Sequence, residues 1–553
     1  MIEEKLCELV SRALPSKAEV RFERPKQGAH GDLSTNVALL LAKEAGKAPR
    51  EVAAEIVARL PKENDLVEKT EIAGPGFINF FIRPQAYFQL LQTILDDPEN
   101  YGRLKMGEGK KVLLEFVSAN PTGPLNIVSA RAAALGDALA SLLEYAGYKP
   151  SREFYVNDVG NQIELFGASL HARYSQALGV DTPIPEEGYH GDYLAELAKE
   201  IAQKEGKKYL EPTQKNLGFF KRAGLDRMLA AQKKSLADFG VLFDRWFLQS
   251  ELFEKKEIEK SLEEVRKRGF LYEADGATHF KSTAFGDDKD RVVIKSDGER
   301  TYFASDIAYH YNKLKRKFDW LIDIFGPDHH GYIARTRAAV AALGFKPERL
   351  TILISQQVNL LEKGEQVKMS KRAGKLITMD QLLQDVGREV ARYFFLTRSA
   401  NTHLEFDLEL AKSETPENPV FYIQYAHARI ASVFRKSLEK GQKFRFKKIA
   451  WEHLDLPEEK ALAQFLLEYP AVIATAARDL EPHRIAFYLL DLAKRFQGYY
   501  SKGRDHESYR FVTDDLARTE AKLYLLKSVQ NVLKNGLNLL GIGAPEQMSR
   551  EEI

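Results

Sequence analysis

A chain of 553 residues is too long for one hydrophobic core, and its length argues for three or four domains. With 44% hydrophobic and 29% charged residues it is neither disordered nor fibrous, and no apolar run is long enough to span a bilayer. A net charge of +2 confines any polyanion-binding surface to a local patch, and the single cysteine, Cys7, excludes an internal disulfide and a cysteine-rich zinc site.

The N-terminus, MIEEKLCELV, is acidic and amphipathic, unlike a secretory signal, so a cytoplasmic location is expected. Residues 1–105 predict an α+β unit. Pro49 opens a helix with Val52, Ile56, Val57 and Leu60 on one face. Residues 74–82, GPGFINFFI, read as a turn and a strand with Ile78, Phe80 and Ile82 on one side. GAHGDLSTNVA, 28–38, is a polar lead into a helix, and His30 in it is expected to support a turn. DDPENYG, 96–102, reads as a linker.

An α/β region follows. KKVLLEFVS, 110–118, is a buried-strand run, ANPTGP a polar turn, 126–145 an Ala- and Leu-rich helix, and REFYVND, 152–158, the next strand. Such a βαβ unit seeds a parallel sheet, whose ligands gather at strand carboxyl ends and helix N-termini, here 118–129. Residues 163–271 are charged, helical in period and read as an insertion. HFKST and RVVIKSDG then predict strands around a hairpin; DWLIDIFG, 319–326, is a buried strand ending in PDHHGY; and TILISQQVN, 351–359, is another. VKMSKRAGK, 367–375, is polar and glycine-flanked and reads as a mobile loop, on which Lys368 and Lys371 can grip phosphate as point charges.

From about Asp385 the pattern is helical, with a helix opening at Pro457 that carries Leu462, Phe465, Leu466 and Tyr469. FRKSLEKGQKFRFKK, 434–448, is basic and interleaved with phenylalanine, which fits a solvated linker or an RNA backbone contact. The expected fold class is α/β: a split, doubly wound Rossmann-type domain at 106–384, carrying the insertion at 163–271, between an α+β domain at 1–105 and an all-α bundle at 385–553.

EFVSANPTGPL, YVNDVGNQIE, YFASDIAYHYNK, FGPDHHGY, VKMSKRAGK and VFYIQYAHARI, in this order, resemble segments of the class I aminoacyl-tRNA synthetases and specifically the arginyl-tRNA synthetase family. The C-terminal VLKNGLNLLGIGAPEQM resembles that family's ending, so the likeness spans the chain. It implies ligation of L-arginine to tRNA(Arg) in two steps through arginyl-adenylate, with ATP as substrate, Mg²⁺ assisting and no enzyme nucleophile. A monomer without a membrane partner is expected, and no metal site is expected at His329 and His330, since sequence neighbours rarely share one metal and no other ligand cluster is nearby.

By the same resemblance Lys368 and Lys371 are catalytic, with Asn126 and Ser129 at the helix start. ATP is expected against Asn126, Val128, Ser129, Gly326, Asp328, His329, Met369, Ser370 and Lys371. A guanidinium is planar, always charged and presents a fork of donors, so it needs carboxylates. Glu115 and Asp306 are expected to hold it, with Tyr302 packing beside it, Asn120 at the α-amino end, and Ser118, Asp158 and Gln162 as further arginine contacts. Glu115 stands out because it interrupts an apolar strand. The helical domain is expected to read the anticodon and the N-terminal domain the tRNA elbow, with Tyr425, His427, Arg429, Tyr499 and Tyr500 as stacking or phosphate contacts, or, for each tyrosine, as part of a buried helix face.

One motif departs from the family. Its HIGH sequence should follow Leu125, and here Asn126, Ile127, Val128 and Ser129 stand there. Asn126 and Ser129 are then expected to substitute in the phosphate grip, with Arg131 just beyond as a further candidate. The alternative is a synthetase-like protein that binds tRNA without activating an amino acid.

Overall fold

The computed structural model describes residues 2–25, 30–61, 63–367, 377–446 and 449–548. The chain forms two compact units. One comprises Met1–Tyr101, Ala426–Tyr469 and Leu492–Leu533; the other Gly102–Tyr425, Pro470–Asp491 and Lys534–Ile553.

In the first unit, strand Phe77–Ile82 pairs antiparallel with Leu33–Thr35 on one side and Val67–Ala73 on the other. Ile78, Phe80 and Ile82 are fully buried, as their alternation predicts, and Asn79 is buried too because Ser34 Oγ donates to its side-chain oxygen at 2.7 Å. Gly31 turns the chain with φ 90°, and a Cβ there would stand 2.8 Å from the Phe80 carbonyl oxygen, so no other residue fits. Helix Pro457–Leu467 buries Leu462 and Leu466.

The second unit is built on a five-stranded parallel sheet. Its strands are β1 (Lys111–Glu115), β2 (Lys149–Val156), β3 (Arg245–Leu248), β4 (Trp320–Phe325) and β5 (Leu350–Ile354), in the order β5-β4-β1-β2-β3. Helix α1 (Ile127–Tyr145) crosses from β1 to β2, and α2 (Tyr302–Lys315) precedes β4. Leu113, Leu114, Phe154, Val156, Leu321 and Ile322 are buried, as both-face coverage of a parallel sheet requires. α1 lies close to β1 at Gly136, where a Cβ would stand 2.2 Å from the Phe116 ring.

Four expectations change. The insertion is helical at Asn161–Ala177, Asp192–Glu205 and Gln214–Asp238, but its Arg245–Leu248 segment is an edge strand of the main sheet. Four residues are too few to show a period in a charged stretch. The run 351–359 is two strands: β5 ends at Ile354, and Val358–Glu362 joins a second sheet, pairing parallel with Leu404–Asp407. That last strand also interrupts the region expected to be all helical. Finally, Phe434 and Arg435 belong to helix Pro419–Glu439 and not to a linker.

Candidate active site

The parallel register places three acidic residues side by side. Asp323 on β4 is opposite Glu115 on β1, Glu115 is opposite Glu153 on β2, and Glu153 is opposite Arg245 on β3. Each carboxylate is buried, and Glu115 and Asp323 sit in otherwise apolar strands. Helix α2 lies over this row with Asp306, Tyr309, His310 and Lys313 at helical spacing on one face. Lys313 donates to Asp323 at 2.7 Å and also to Glu115. Tyr309 Oη donates to Glu153 at 2.7 Å, and Arg316 grips both oxygens of Glu153. His310 sits between the Asp306 carbonyl oxygen at 2.8 Å and the Asp323 carboxylate at 2.9 Å.

One lysine thus serves two carboxylates. Burial raises the pKa of Glu115, and Lys313 offsets this only in part. Burial also acts to raise Asp323, but Lys313 and His310 outweigh it and hold the carboxyl low. Lys313 is thus shared between the two, and Glu115, raised by burial, remains an incompletely compensated acid. Asp306, with no cation in hydrogen-bonding contact among the described residues, is pushed up to about 6 by burial, with Glu115 adding to the shift against His310. This is a floor with excess negative charge, suited to a cationic ligand.

The floor opens into a cavity of about 550 Å³ at the carboxyl ends of β1, β2 and β4. Glu115, Ser118, Asn120, Gln162, Tyr302 and Asp306, six of the seven expected arginine contacts, line it. Ser118 Oγ donates to Glu115 at 2.9 Å and accepts from Tyr155 N at 3.1 Å. Asn120 Nδ2 donates to Gln162 Oε1 at 2.7 Å. Tyr302 is 62% exposed, a broad ring available to cover a ligand. The chain leaves β1 through a strained turn, with φ 68° at Val117 and φ 39° at Ser118. Asp158 is not part of the lining: its Oδ1 accepts from Ser250 N at 2.9 Å and fixes a neighbouring loop. Asn157 and Gln249 also line the cavity, and no local pattern marks them out.

Of the residues expected beside ATP, Gly326 and His329 line the same cavity, while the exposed Asp328 does not. Asn126 is the N-cap of α1. Its Oδ1 accepts from Ser129 N at 2.9 Å and Ser129 Oγ at 3.2 Å, so the two residues satisfy one another. Val128 is half-buried in the first turn. Arg131 is not a phosphate group: it is 1% exposed and donates to the carbonyls of Gln356, Gln357, Ser399 and Thr402. Lys368, Met369, Ser370 and Lys371 lie outside the described residues. Both flanks of their segment are anchored, by Val367 N to Leu360 O at 2.9 Å and by Met379 N to Leu125 O at 2.8 Å, and Thr378 bridges to Asn126 itself.

The expected tRNA contacts divide. Tyr499 is fully buried with its hydroxyl on Glu459, and His427 is 2% exposed, so neither can stack on a base in this structure. Tyr425, Arg429 and Tyr500 are half-buried. The Arg429 guanidinium lies 4.6 Å from the centre of the Tyr500 ring. Among the described residues, no group of three or more His, Cys, Asp or Glu could hold a metal ion, and no helix is long and apolar enough to cross a membrane.

Residues 90–407 match the family described as tRNA synthetases class I (R), catalytic domain, which defines the class of protein. Residues 1–82 match the arginyl tRNA synthetase N terminal domain, and 423–548 the DALR anticodon binding domain. The arginine–tRNA ligase of Desulforamulus reducens is 48% identical over 537 residues, covering 96% of this chain and 94% of that one. That of Geobacillus kaustophilus is 47% identical over 532 residues, with coverage of 96% and 94%. A solved putative arginyl-tRNA synthetase from Campylobacter jejuni, 34% identical, superposes with a TM-score of 0.76 over 84% of this chain and 100% of its own. Thermus thermophilus arginyl-tRNA synthetase shares the fold, with a TM-score of 0.74 at 24% identity over 99% and 100% of the two chains. The chain belongs to the arginyl-tRNA synthetase family, within class I.

Proposed function

We infer that the protein ligates L-arginine to tRNA(Arg). The arginine carboxylate attacks the α-phosphorus of ATP, forming arginyl-adenylate and releasing pyrophosphate. A terminal ribose hydroxyl of the tRNA then attacks the arginyl carbonyl and releases AMP. The observation that carries this reading is the acidic floor, where Lys313 is shared between Glu115 and Asp323 while Asp306 has no cation in contact among the described residues. Glu115 and Asp306 take the guanidinium, Tyr302 packs on it, and Asn120 with Gln162 meets the α-amino end. Catalysis is positioning and charge stabilisation.

On the ATP side, the start of α1 and the loop lysines act together, as the Asn126–Thr378 bridge favours. The Asn126–Ser129 cap keeps the helix N-terminus formed without histidine. Mg²⁺ is carried by the phosphates, not by a protein cage. The three-part division at 1–105, 106–384 and 385–553 assigns the elbow of the tRNA to the first part and the anticodon to the last. The protein acts in the cytoplasm as a monomer. The rival reading, tRNA binding without activation, has no support in the relatives, which are named as ligases.

Arginine-dependent ATP–pyrophosphate exchange, run with and without tRNA, tests the reading; no exchange with tRNA present, alongside tight tRNA binding, overturns it. Lys371→Ala is expected to lower the exchange rate roughly 100- to 1,000-fold, the scale of losing one transition-state donor. Its tRNA affinity should change little, and an unimpaired exchange rate would remove the loop from the mechanism. Tyr500→Ala is expected to weaken tRNA binding by about 1–3 kcal/mol, the range for one base stack, without slowing exchange. Filter binding of the variant and the parent protein checks this.

A further inference from the structure

We propose that Gln232 and Tyr193, two residues of the helical insertion, are positioning residues for arginine activation: they clamp the turn that carries Asn120 into the pocket. The proposal rests on the ligase reading above. The turn at 119–124 connects β1 to α1, and three of its carbonyls are held by the insertion. Gln232 Nε2 donates to Asn120 O at 3.1 Å and to Gly123 O at 2.9 Å. Tyr193 Oη donates to Thr122 O at 2.6 Å. Gln232 comes from helix Gln214–Asp238 and Tyr193 from helix Asp192–Glu205, so two separate helices converge on one turn.

The orientation of the Gln232 amide is determined. Two carbonyl acceptors require its NH₂ group, and its Oε1 is left buried without a partner among the described residues. A side chain 1% exposed with an unpartnered carbonyl is a poor choice for packing alone, since a buried unmet acceptor is costly. Burial pushes the Tyr193 hydroxyl up to about 12, so it remains a protonated donor. The fit is close: a Cβ on Gly123 would stand 3.3 Å from the Tyr193 hydroxyl oxygen.

The turn needs such a clamp. It starts from the positive-φ pair Val117 and Ser118, a conformation that persists only where its surroundings over-determine it. It ends two residues before the Asn126 cap. Between these points Asn120 donates to Gln162, and both line the pocket. The insertion therefore sets where Asn120 holds the amino acid relative to the start of α1, and with it the approach of the carboxylate to ATP.

The test is exchange kinetics on Gln232→Met, Gln232→Glu and Tyr193→Phe in the full chain, with rates normalised by active-site titration. Gln232→Met is expected to raise KM for arginine and lower kcat, together roughly 10- to 100-fold in kcat/KM, as sub-ångström misplacement does. Tyr193→Phe is expected to move both parameters the same way by less, and the double variant to lose less than the product of the two. Gln232→Glu sets a carboxylate against two carbonyls, and its rate relative to the parent protein is expected to rise as pH falls and the acid regains a donor hydrogen. A merely structural role would reduce the titrated fraction and leave kcat, KM and the pH profile per active site unchanged; that result overturns the proposal. Tyr193→Phe decides the matter if Gln232→Met does not fold. Absence of arginine-dependent exchange in the parent protein would instead overturn the ligase reading, so the two failures are distinguishable.

Discussion

Lys313→Met is expected to abolish arginine-dependent exchange and to destabilise the fold by about 3–5 kcal/mol, the range for leaving a buried charge without its partner. Methionine keeps the length of the side chain and removes its charge, so the loss reports electrostatics more than a cavity. The pH dependence identifies the cause. In the parent protein Asp323 is held below its usual range, so its contribution is present above the unfolded carboxylate pKa and is lost as pH falls through the depressed folded value. Without Lys313, Asp323 keeps only His310 against burial and Glu115 loses its partner, so both folded pKa values rise. Acidification then relieves the strain in the variant by protonating them. The gap in Tm between the two proteins is therefore expected to narrow as pH falls from neutral, because acidification protonates the raised carboxyls of the variant. A gap independent of pH would show that Lys313 acts through packing. Exchange is lost because the floor that receives the guanidinium no longer keeps its charge arrangement.

This network explains how much of the site was legible beforehand. Glu115 was identifiable because an acid in an apolar strand must have a partner, and the same argument applies to Asp323 in DWLIDIFG but not to Glu153, which follows Arg152 in a polar half-strand. Their alignment was not legible, because register between strands more than 30 residues apart depends on the whole sheet. Lys313 follows Asp306 by seven residues and so shares its helix face, a relation readable once YFASDIAYHYNK is taken as a helix. Arg131 misled for a physical reason: position near a helix start suggests an anion site, yet nothing local foretells four converging carbonyls from 356–402. Tyr499 and Tyr500 are adjacent, yet one is fully buried and the other half-buried, since a helix turns 100° per residue and only tertiary packing decides which side faces in. The short strands Arg245–Leu248 and Leu404–Asp407 were hidden because four residues complete only two periods. The order of larger elements, by contrast, followed from apolar runs and turns.

Arginine affinity is expected to fall as pH drops through about 6 and to be nearly flat above pH 7, because Asp306 must be ionised to meet a guanidinium and its carboxyl is held near 6 in the free protein. The sign follows from linkage. Burial favours the protonated acid in the empty pocket, and a bound guanidinium favours the carboxylate, so binding at pH 6 releases protons. Well below 6, each pH unit costs about tenfold in apparent Kd as the competent fraction shrinks. Calorimetric titrations from about pH 5 to pH 8, in two buffers of different ionisation enthalpy, measure both the affinity and the proton count. Asp306→Asn is expected to weaken binding by about 2–5 kcal/mol at neutral pH, the cost of truncating one side of a desolvated charge pair. The variant should also lose most of the acid-side dependence, retaining only the part due to Glu115, whose carboxyl is likewise raised by burial but is shared with Lys313. If Asp306→Asn kept the full pH profile of the parent protein, Glu115 would be the titrating contact, and Asp306 would act only by shaping the pocket wall.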